Sequence, residues 1–321
     1  MFKFKHPEYV PVHVLLIIGS IFMLFPFIWM IATSFKSQDE ILTTSKSIVL
    51  LPDLARPSFL NGEEETARIE RKKEEAKAWE AEQAKPQAER NKKIQAPFHW
   101  FDNYLFALKA QPFYRFFLNT IFVTLTVTTV SLFFASLAAY AFAFFNFPFK
   151  NTLFMMMLGT MMLPQQALLI PNYIFLSKLG WVNTYMALIV PWLASAYSVF
   201  FLRQFFLQLP KDLFEAATID GCTRFQFYYK VVLPLSIPSM VTLGIFSFLA
   251  NWNSFVWPLI VTNDTSLRVI QVGLSYFSSE AGTRWGPLMA ASTMTILPLV
   301  IGYFLAQKQF VESQATTGMK E

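Results

Sequence analysis

Charge is scarce in this chain: Asp, Glu, Lys and Arg make up 15 % of its 321 residues while 54 % are hydrophobic, against roughly 25 % charged in an ordinary soluble domain. A soluble enzyme is thereby disfavoured. Cysteine is almost missing, since Cys222 stands alone and has no internal disulfide partner. Three scattered histidines, His6, His13 and His99, do not assemble a zinc site, so neither a disulfide scaffold nor a resident metal is expected. None of the 11 glycines is followed by lysine. The chain therefore has no G-x-x-x-x-G-K-[ST] phosphate loop and no ATP site of its own.

What is abundant is uninterrupted apolar sequence. A bilayer core needs about 20 mostly apolar residues per helix, and six stretches of at least 18 residues lack Asp, Glu, Lys and Arg: 9 to 35, 116 to 149, 151 to 177, 179 to 202, 231 to 263 and 285 to 307. The pattern predicts an all-α integral membrane protein with six transmembrane helices. With a cytoplasmic N-terminus, the inner segments hold Lys3, Lys5, Lys150, Arg203, Lys211, Arg224, Lys230, Lys308 and Lys320, against Lys178, Arg268 and Arg284 in the two short outer loops. Positive residues favour the inside, which places both termini in the cytoplasm. The net charge of +5 then reflects topology and anionic lipid, with no nucleic-acid partner. The first span is read as a helix, because Val10 to Thr33 is longer than the apolar region of a signal peptide and has no clear small-x-small cleavage site.

The remaining charge is bunched. Residues 63 to 93 hold nine basic and nine acidic side chains. Pairs such as Glu64 with Arg68 and Glu89 with Lys93 are spaced i,i+4, which supports a helical spur ending near Pro86. Ile69, Ala76 and Trp79 make only a thin apolar stripe, so this block, 61 to 95 within an outer loop of 36 to 115, reads as a solvated insertion. The alternative is a rim element that meets an extracytoplasmic partner.

The most patterned polar segment is the inner loop from Arg203 to Lys230. Pro210 suits a helix start, Leu213, Phe214 and Ala217 share one apolar face, and Gly221 after Asp220 is placed as a C-terminal cap. Thr223-Arg-Phe-Gln226 has capping-box spacing for a second short helix running toward Pro234. Helix, glycine turn, helix is the expected form. A surface helix anchored in lipid is the plainer reading.

The string Glu215-Ala216-Ala217, three residues, Gly221, nine residues, Val231, one residue, Leu233-Pro234 resembles the EAA loop of importer-type ATP-binding-cassette permeases. Continued through Leu235-Ser236-Ile237-Pro238, it is similar to the carbohydrate-uptake branch and its maltose-transporter-like second permease subunit. Asp102-Asn103-Tyr104, Leu118-Asn119-Thr120, Leu163-Pro164, Trp252-Asn253-Ser254-Phe255-Val256-Trp257-Pro258 and Thr317-Gly318-Met319-Lys320 look like the same family, and residues 61 to 95 depart from it. Cys222 stands where that family commonly has alanine.

The resemblance implies a type I ABC importer permease fold, with a permease core over 116 to 307, the coupling loop over 203 to 235 and a cytoplasmic tail over 308 to 321. It also implies the machinery: a homologous second permease, two ATPase subunits that hold ATP and Mg, and an extracytoplasmic solute-binding protein, in a bacterial or archaeal inner membrane. Leu213, Phe214, Glu215, Ala216, Ala217, Asp220 and Gly221 would dock in a groove of the ATPase. The chain itself would be a non-catalytic transport subunit.

Polar residues inside spans mark candidate routes for solute. Asn251, Trp252 and Asn253 in span five and Gln165 and Gln166 in span three combine amides, which bond hydroxyls, with an indole that stacks on sugar faces. Interhelical packing is the bland alternative for each, and in maltose-type relatives the paired permease makes most sugar contacts. Met155, Met156, Met157, Met161 and Met162 read as adaptable packing, because no Cys or His joins them. A sugar or oligosaccharide is the expected solute, with glycerol phosphate or another polar solute as the rival. A secondary transporter would call for an embedded ionisable relay, and all six spans lack Asp, Glu, Lys and Arg; a membrane enzyme fails for want of a nucleophile, base and metal set.

Overall fold

The computed structural model describes residues 10–37, 41, 101–279 and 282–318. The charged block at 61 to 95 lies outside the described residues. Apart from a two-stranded ladder, β1 (Ser278–Ser279) and β2 (Gly282–Thr283), antiparallel with Ser278 opposite Thr283, the described chain is helical. It falls into two compact units, one of Met1–Ala110 with Phe277–Met294 and one of Gln111–Tyr276 with Thr295–Glu321.

The first unit holds α1 (Val10–Ser34), α2 (Asp102–Ala110) and the start of the long last helix, Trp285–Gly318. Its centre is Asn103. The buried amide nitrogen donates to the carbonyls of Ser34 and Lys36, both at 2.8 Å, and so satisfies backbone groups where α1 ends. Tyr104 hydroxyl lies 2.7 Å from Ser34 Oγ. Gly286 faces the same amide so closely that a Cβ there would sit 2.7 Å from it. By contrast α1 is apolar on every side and exposed along most of its length, as a helix that meets lipid or another chain must be.

The second unit is organised by α3 (Phe113–Phe144), 32 residues long. Its sequence is apolar, but Thr120, Thr124, Thr128 and Ser131 recur at three- and four-residue intervals and are buried. Phe145 is extended, because Pro148 with Phe147 closes the route to further helix. Two cations cap the exposed end: Arg203 Nε donates to Phe142 O at 3.2 Å and Lys150 Nζ to Phe145 O at 2.7 Å, the favoured charge at a helix C-terminus.

Six spans are legible only if two of them are broken. Among the described residues four helices are long and apolar enough to cross a bilayer alone, and two bent pairs supply the others. The run 151 to 177 divides into α4 (Lys150–Thr160), a 3-10 turn (Gln165–Leu168) and α5 (Leu169–Lys178), with a 92° bend. Pro164 causes the break, since it donates no N–H and disfavours helix at Leu163. The next span consists of α6 (Tyr185–Ile189), a turn at Val190–Trp192, and α7 (Ala196–Leu207), so it runs beyond the expected end at 202. Arg203, which ended the charge-free run, sits inside α7 with its guanidinium 4.1 Å from the Phe154 ring.

After α8 (Lys211–Ile219) come α9 (Arg224–Phe227), a π-helical turn (Tyr228–Val232) and α10 (Leu233–Leu235), then a 72° bend into α11 (Ile237–Trp252). The wide turn precedes Pro234, whose ring would otherwise strike the carbonyl four residues earlier. α12 (Val256–Val261), α13 (Ile270–Leu274) and α14 (Trp285–Gly318) complete the order. α14 continues as helix through the segment expected to be a tail from 308. Two apolar clusters form the core, one where Ala139, Tyr140, Leu202 and Phe206 meet Phe227 and Val232, the other around Val127, Leu188, Trp257 and Val261.

Candidate functional site

The inner loop is built from local bonds. Pro210 takes the N-cap of α8, one residue before the expected first turn, with Asp212 in the first turn, where the helix dipole favours an acid. At the other end Gly221 has φ +74°, its N–H donates to Thr218 O at 3.1 Å, and Cys222 N–H donates to Ala217 O at 2.9 Å. This is the Schellman arrangement. Nothing lies within 4 Å of a Cβ added at Gly221, so within this chain the glycine is required by its left-handed backbone and not by crowding. Thr223 and Gln226 complete the expected capping box, Gln226 N to Thr223 Oγ1 at 3.2 Å and Thr223 N to Gln226 Oε1 at 2.8 Å.

This fixed turn divides the expected docking set in two. Phe214 meets Phe227 edge to face at 5.1 Å, and Ala217 is buried in the same cluster as Tyr140 and Tyr228. These two side chains seat the loop on the permease itself, while Leu213, the third residue of the apolar stripe, stays exposed. Leu213, Glu215, Ala216, Asp220 and Gly221 face outward. Ile219, which the sequence pattern missed, is 86 % exposed. A β-branched apolar side chain left in that state beside Glu215 and Asp220 marks the outward face.

The second site is a cleft of about 700 Å³ in the second unit, within the range of solute-binding cavities. Gln165 and Gln166 reach it from the bend after α4, and Asn251 from the end of α11. Tyr197, Trp192 and Trp257 line it, together with Ser131, Ser195, Ser198, Ser247 and Ser254. Trp257 Nε1 donates to Ala187 O at 2.9 Å, and its ring meets Trp192 edge to face at 5.9 Å, which fixes both indoles. Asn251 Nδ2 donates to Ser247 O at 2.8 Å.

Two expected path residues lie elsewhere. Trp252 is 2 % exposed, packed between Phe117 and Phe248, and does not line the cleft. Asn253 is turned the other way, with Nδ2 on Leu249 O at 2.9 Å and Oδ1 accepting from Gln271 at 3.3 Å. Trp252 and Asn253 stand about 100° and 200° round the helix from Asn251, and neither lines the cleft. The serines were missed because single hydroxyls among apolar residues carry little signal until the helices meet. Among the described residues no three metal-ligating side chains come together.

Broken apolar helices around a polar cleft, with a rigidly capped loop presenting an outward face, define an integral membrane permease subunit. The chain belongs to the family described as binding-protein-dependent transport system inner membrane component, which it matches over residues 104–313. It is 35 % identical over 68 % of its length to an arabinooligosaccharide transport system permease of Halalkalibacterium halodurans, covering 79 % of that protein. It is 34 % identical over 70 % of its length to a probable ABC transporter permease of Bacillus subtilis, covering 75 % of it. An sn-glycerol-3-phosphate transport system permease of Pectobacterium atrosepticum matches at 35 % over 62 % of this chain and 72 % of its own. In fold it is similar to a crystal structure of a bacterial ABC transporter involved in the import of the acidic polysaccharide alginate, with a TM-score of 0.70 at 20 % identity over 96 % of this chain and 100 % of that one. The family is thus one of multi-pass inner-membrane transport components.

Proposed function

We propose that this subunit carries a neutral sugar or oligosaccharide across the inner membrane of a bacterium, driven by ATP hydrolysis on separate subunits. The observation that carries the solute class is the lining of the cleft: among apolar residues such as Leu169, Leu243 and Phe246 stand three side-chain amides, five serines, a tyrosine and two tryptophans, with no Asp, Glu, Lys, Arg or His. Amides and hydroxyls exchange hydrogen bonds with sugar hydroxyls, and indoles offer flat apolar faces. A phosphate would find no cation there, although charge-assisted bonds are what phosphate sites are built on. The glycerol-phosphate reading, which one group of relatives suggests, is weaker for that reason.

Both termini lie in the cytoplasm in this reading, which follows from the nine inner basic residues against three outer ones. The loop Lys211 to Gly221 then faces the cytoplasm and docks on an ATPase subunit through Leu213, Glu215, Ala216, Ile219 and Asp220. A second permease, a pair of ATPase subunits and an extracytoplasmic solute-binding protein complete the assembly. ATP and Mg bind on the ATPase chains. Closure of the ATPase pair favours one permease state over the other because the loop, held by Gly221 and the Thr223 capping box, moves as a unit.

The test is vanadate-sensitive uptake by proteoliposomes containing the purified assembly, with neutral arabino- and maltooligosaccharides beside glycerol 3-phosphate. ATP-dependent accumulation of a neutral oligosaccharide supports the reading. Uptake of glycerol 3-phosphate alone refutes the solute class, and uptake indifferent to ATP and vanadate refutes the energy source.

A further inference from the structure

Beside the cleft lies a small annex of about 10 Å³, enough for one water-sized oxygen. It shares Trp192, Asn251, Ser254 and Trp257 with the cleft, so the two spaces adjoin across those four side chains. Thr124 of α3 lines it, is 1 % exposed, and its hydroxyl has no hydrogen-bond partner. A helical threonine ordinarily bonds the carbonyl four residues back; Thr128, one turn later, is likewise without a partner but does not line the annex. Thr120, one turn before Thr124, makes that bond: its Oγ1 donates to Phe116 O at 2.7 Å and accepts from Ile270 N at 2.8 Å. Thr120 thus has its donor and one acceptor site in use, while the Thr124 hydroxyl is buried with no partner. Leaving such a group unpaired costs as much as a hydrogen bond is worth, and more.

We propose that the annex is a specificity site for one hydroxyl group of the transported solute, read by Thr124. The chemistry of the walls selects that group. Asn251 has its amide nitrogen engaged by Ser247, which leaves Oδ1 as an acceptor, and Thr124 and Ser254 each bring a hydroxyl that donates or accepts. A group that both donates and accepts is served, whereas a methyl group strands Thr124. Thr120 also lines the annex, with its hydroxyl already engaged by Phe116 and Ile270; the rest of the wall, including Val123, Leu188 and Val269, is apolar, and no charged side chain lines it. The site rests on the reading of the cleft as the solute path.

The experiment uses the complete transporter in proteoliposomes and compares uptake of its solute with that of each monodeoxy analogue, in wild type, Thr124→Val and Thr124→Ser. Wild type is expected to take up one analogue with a KM about tenfold higher than the parent, the worth of one hydrogen bond. Thr124→Val should raise the parent's KM about tenfold, leave that analogue's KM unchanged and so erase the discrimination, while Thr124→Ser retains it. If Thr124→Val leaves every KM as in wild type, the annex holds water only and the proposal is overturned. It is equally overturned if Thr124→Val and Thr124→Ser impair parent and analogues alike. If wild type carries glycerol 3-phosphate and no sugar, the neutral-sugar reading falls. The annex is then judged by the same comparison with 1,3-propanediol monophosphate, which lacks the secondary hydroxyl.

Discussion

In the loop from Lys211 to Gln226, each residue that fixes the backbone lies within six residues of the one it fixes: Cys222 on Ala217, Gly221 on Thr218, Gln226 on Thr223. In the cleft, Gln165, Ser131 and Asn251 meet from three helices far apart in the chain. The first region is a tool whose shape is local and whose outer face, with Ile219 on it, is exposed. The second is a space, and its chemistry exists only when α3, the bend after α4, and α11 are assembled. Damage to the loop's outward face should therefore break transmission with little effect on stability or on the solute site, and damage to the cleft should change what is transported with little effect on transmission.

The largest effect expected from that contrast is in the loop. Glu215→Lys and Gly221→Asp should each abolish solute-stimulated ATP hydrolysis in the reconstituted assembly while the protein remains in the membrane. At Gly221 the left-handed backbone costs an ordinary residue about 1 to 2 kcal/mol. Asparagine tolerates it better, so Gly221→Asn should keep more activity than Gly221→Asp. Stimulated hydrolysis at the wild-type rate in Glu215→Lys would show that the outward face does not transmit.

Next in size is a pair that separates seat from face on the same short helix. Phe214→Ala removes a ring packed on Phe227 and Phe144 and should cost about 2 to 3 kcal/mol of stability, below the ~3–5 of a fully buried phenylalanine because Phe214 is half-buried. Ile219→Ala should leave the melting temperature of the purified protein within the range of surface changes, about 0.5 kcal/mol, yet reduce ATPase coupling. A melting temperature that falls for Ile219→Ala and holds for Phe214→Ala would reverse the assignment.

The cleft supplies the counterpart. Asn251→Ala should raise the uptake KM severalfold, while Asn253→Ala, outside the cleft and paired with Gln271, should leave it unchanged. Equal effects would mean that these amides act through packing alone.

The same contrast explains how much of the protein could be read from its sequence. The loop was legible down to its capping box, since caps are written in adjacent residues and Thr223, Gln226 and Gly221 each declare themselves by type and position. The division between Phe214 and Ile219 was not, because an amphipathic stripe reveals an apolar face but not whether it meets the same chain or another. Six apolar runs were visible as charge-free stretches. Their bends at Pro164 and around Ser236 were not read, since a hydropathy count sees length and is blind to direction. In span five the cluster Asn251-Trp252-Asn253 was recognised as polar, but only helical phase decides that Asn251 alone enters the cleft. Asn119 shows the limit best: its amide donates to Ser266 O at 2.8 Å and Arg268 O at 3.0 Å and accepts from Tyr185, partners that no local pattern connects.

The smallest expected effect concerns how the two regions hold their turns. Gly221 and the Thr223–Gln226 box are neutral, so the inner-loop helices should keep their caps at any pH. The turn Thr265–Leu267, in the segment that leads out of the cleft-lining helix α12, is capped instead by a carboxylate: Asp264 accepts from Ser266 N at 2.8 Å. That backbone N–H, then the Ser266 hydroxyl, then Arg115 and Arg268, hold the Asp264 carboxyl below its ordinary value of 3.8. A group whose pKa is lowered on folding gives its full contribution above the unfolded value and loses it as the pH falls through the folded one. This turn should accordingly loosen only in acid below about pH 3.8, and only slightly, because Asp264 is fully exposed to solvent. Amide hydrogen exchange, corrected for the intrinsic rate, reads this directly: protection of Ser266 should drop below that pH while protection of Gln226 holds, and Asp264→Asn should remove the dependence. Parallel acid responses at the two amides would show that the charge of Asp264 contributes nothing to the turn, and the two caps would then be held in the same way.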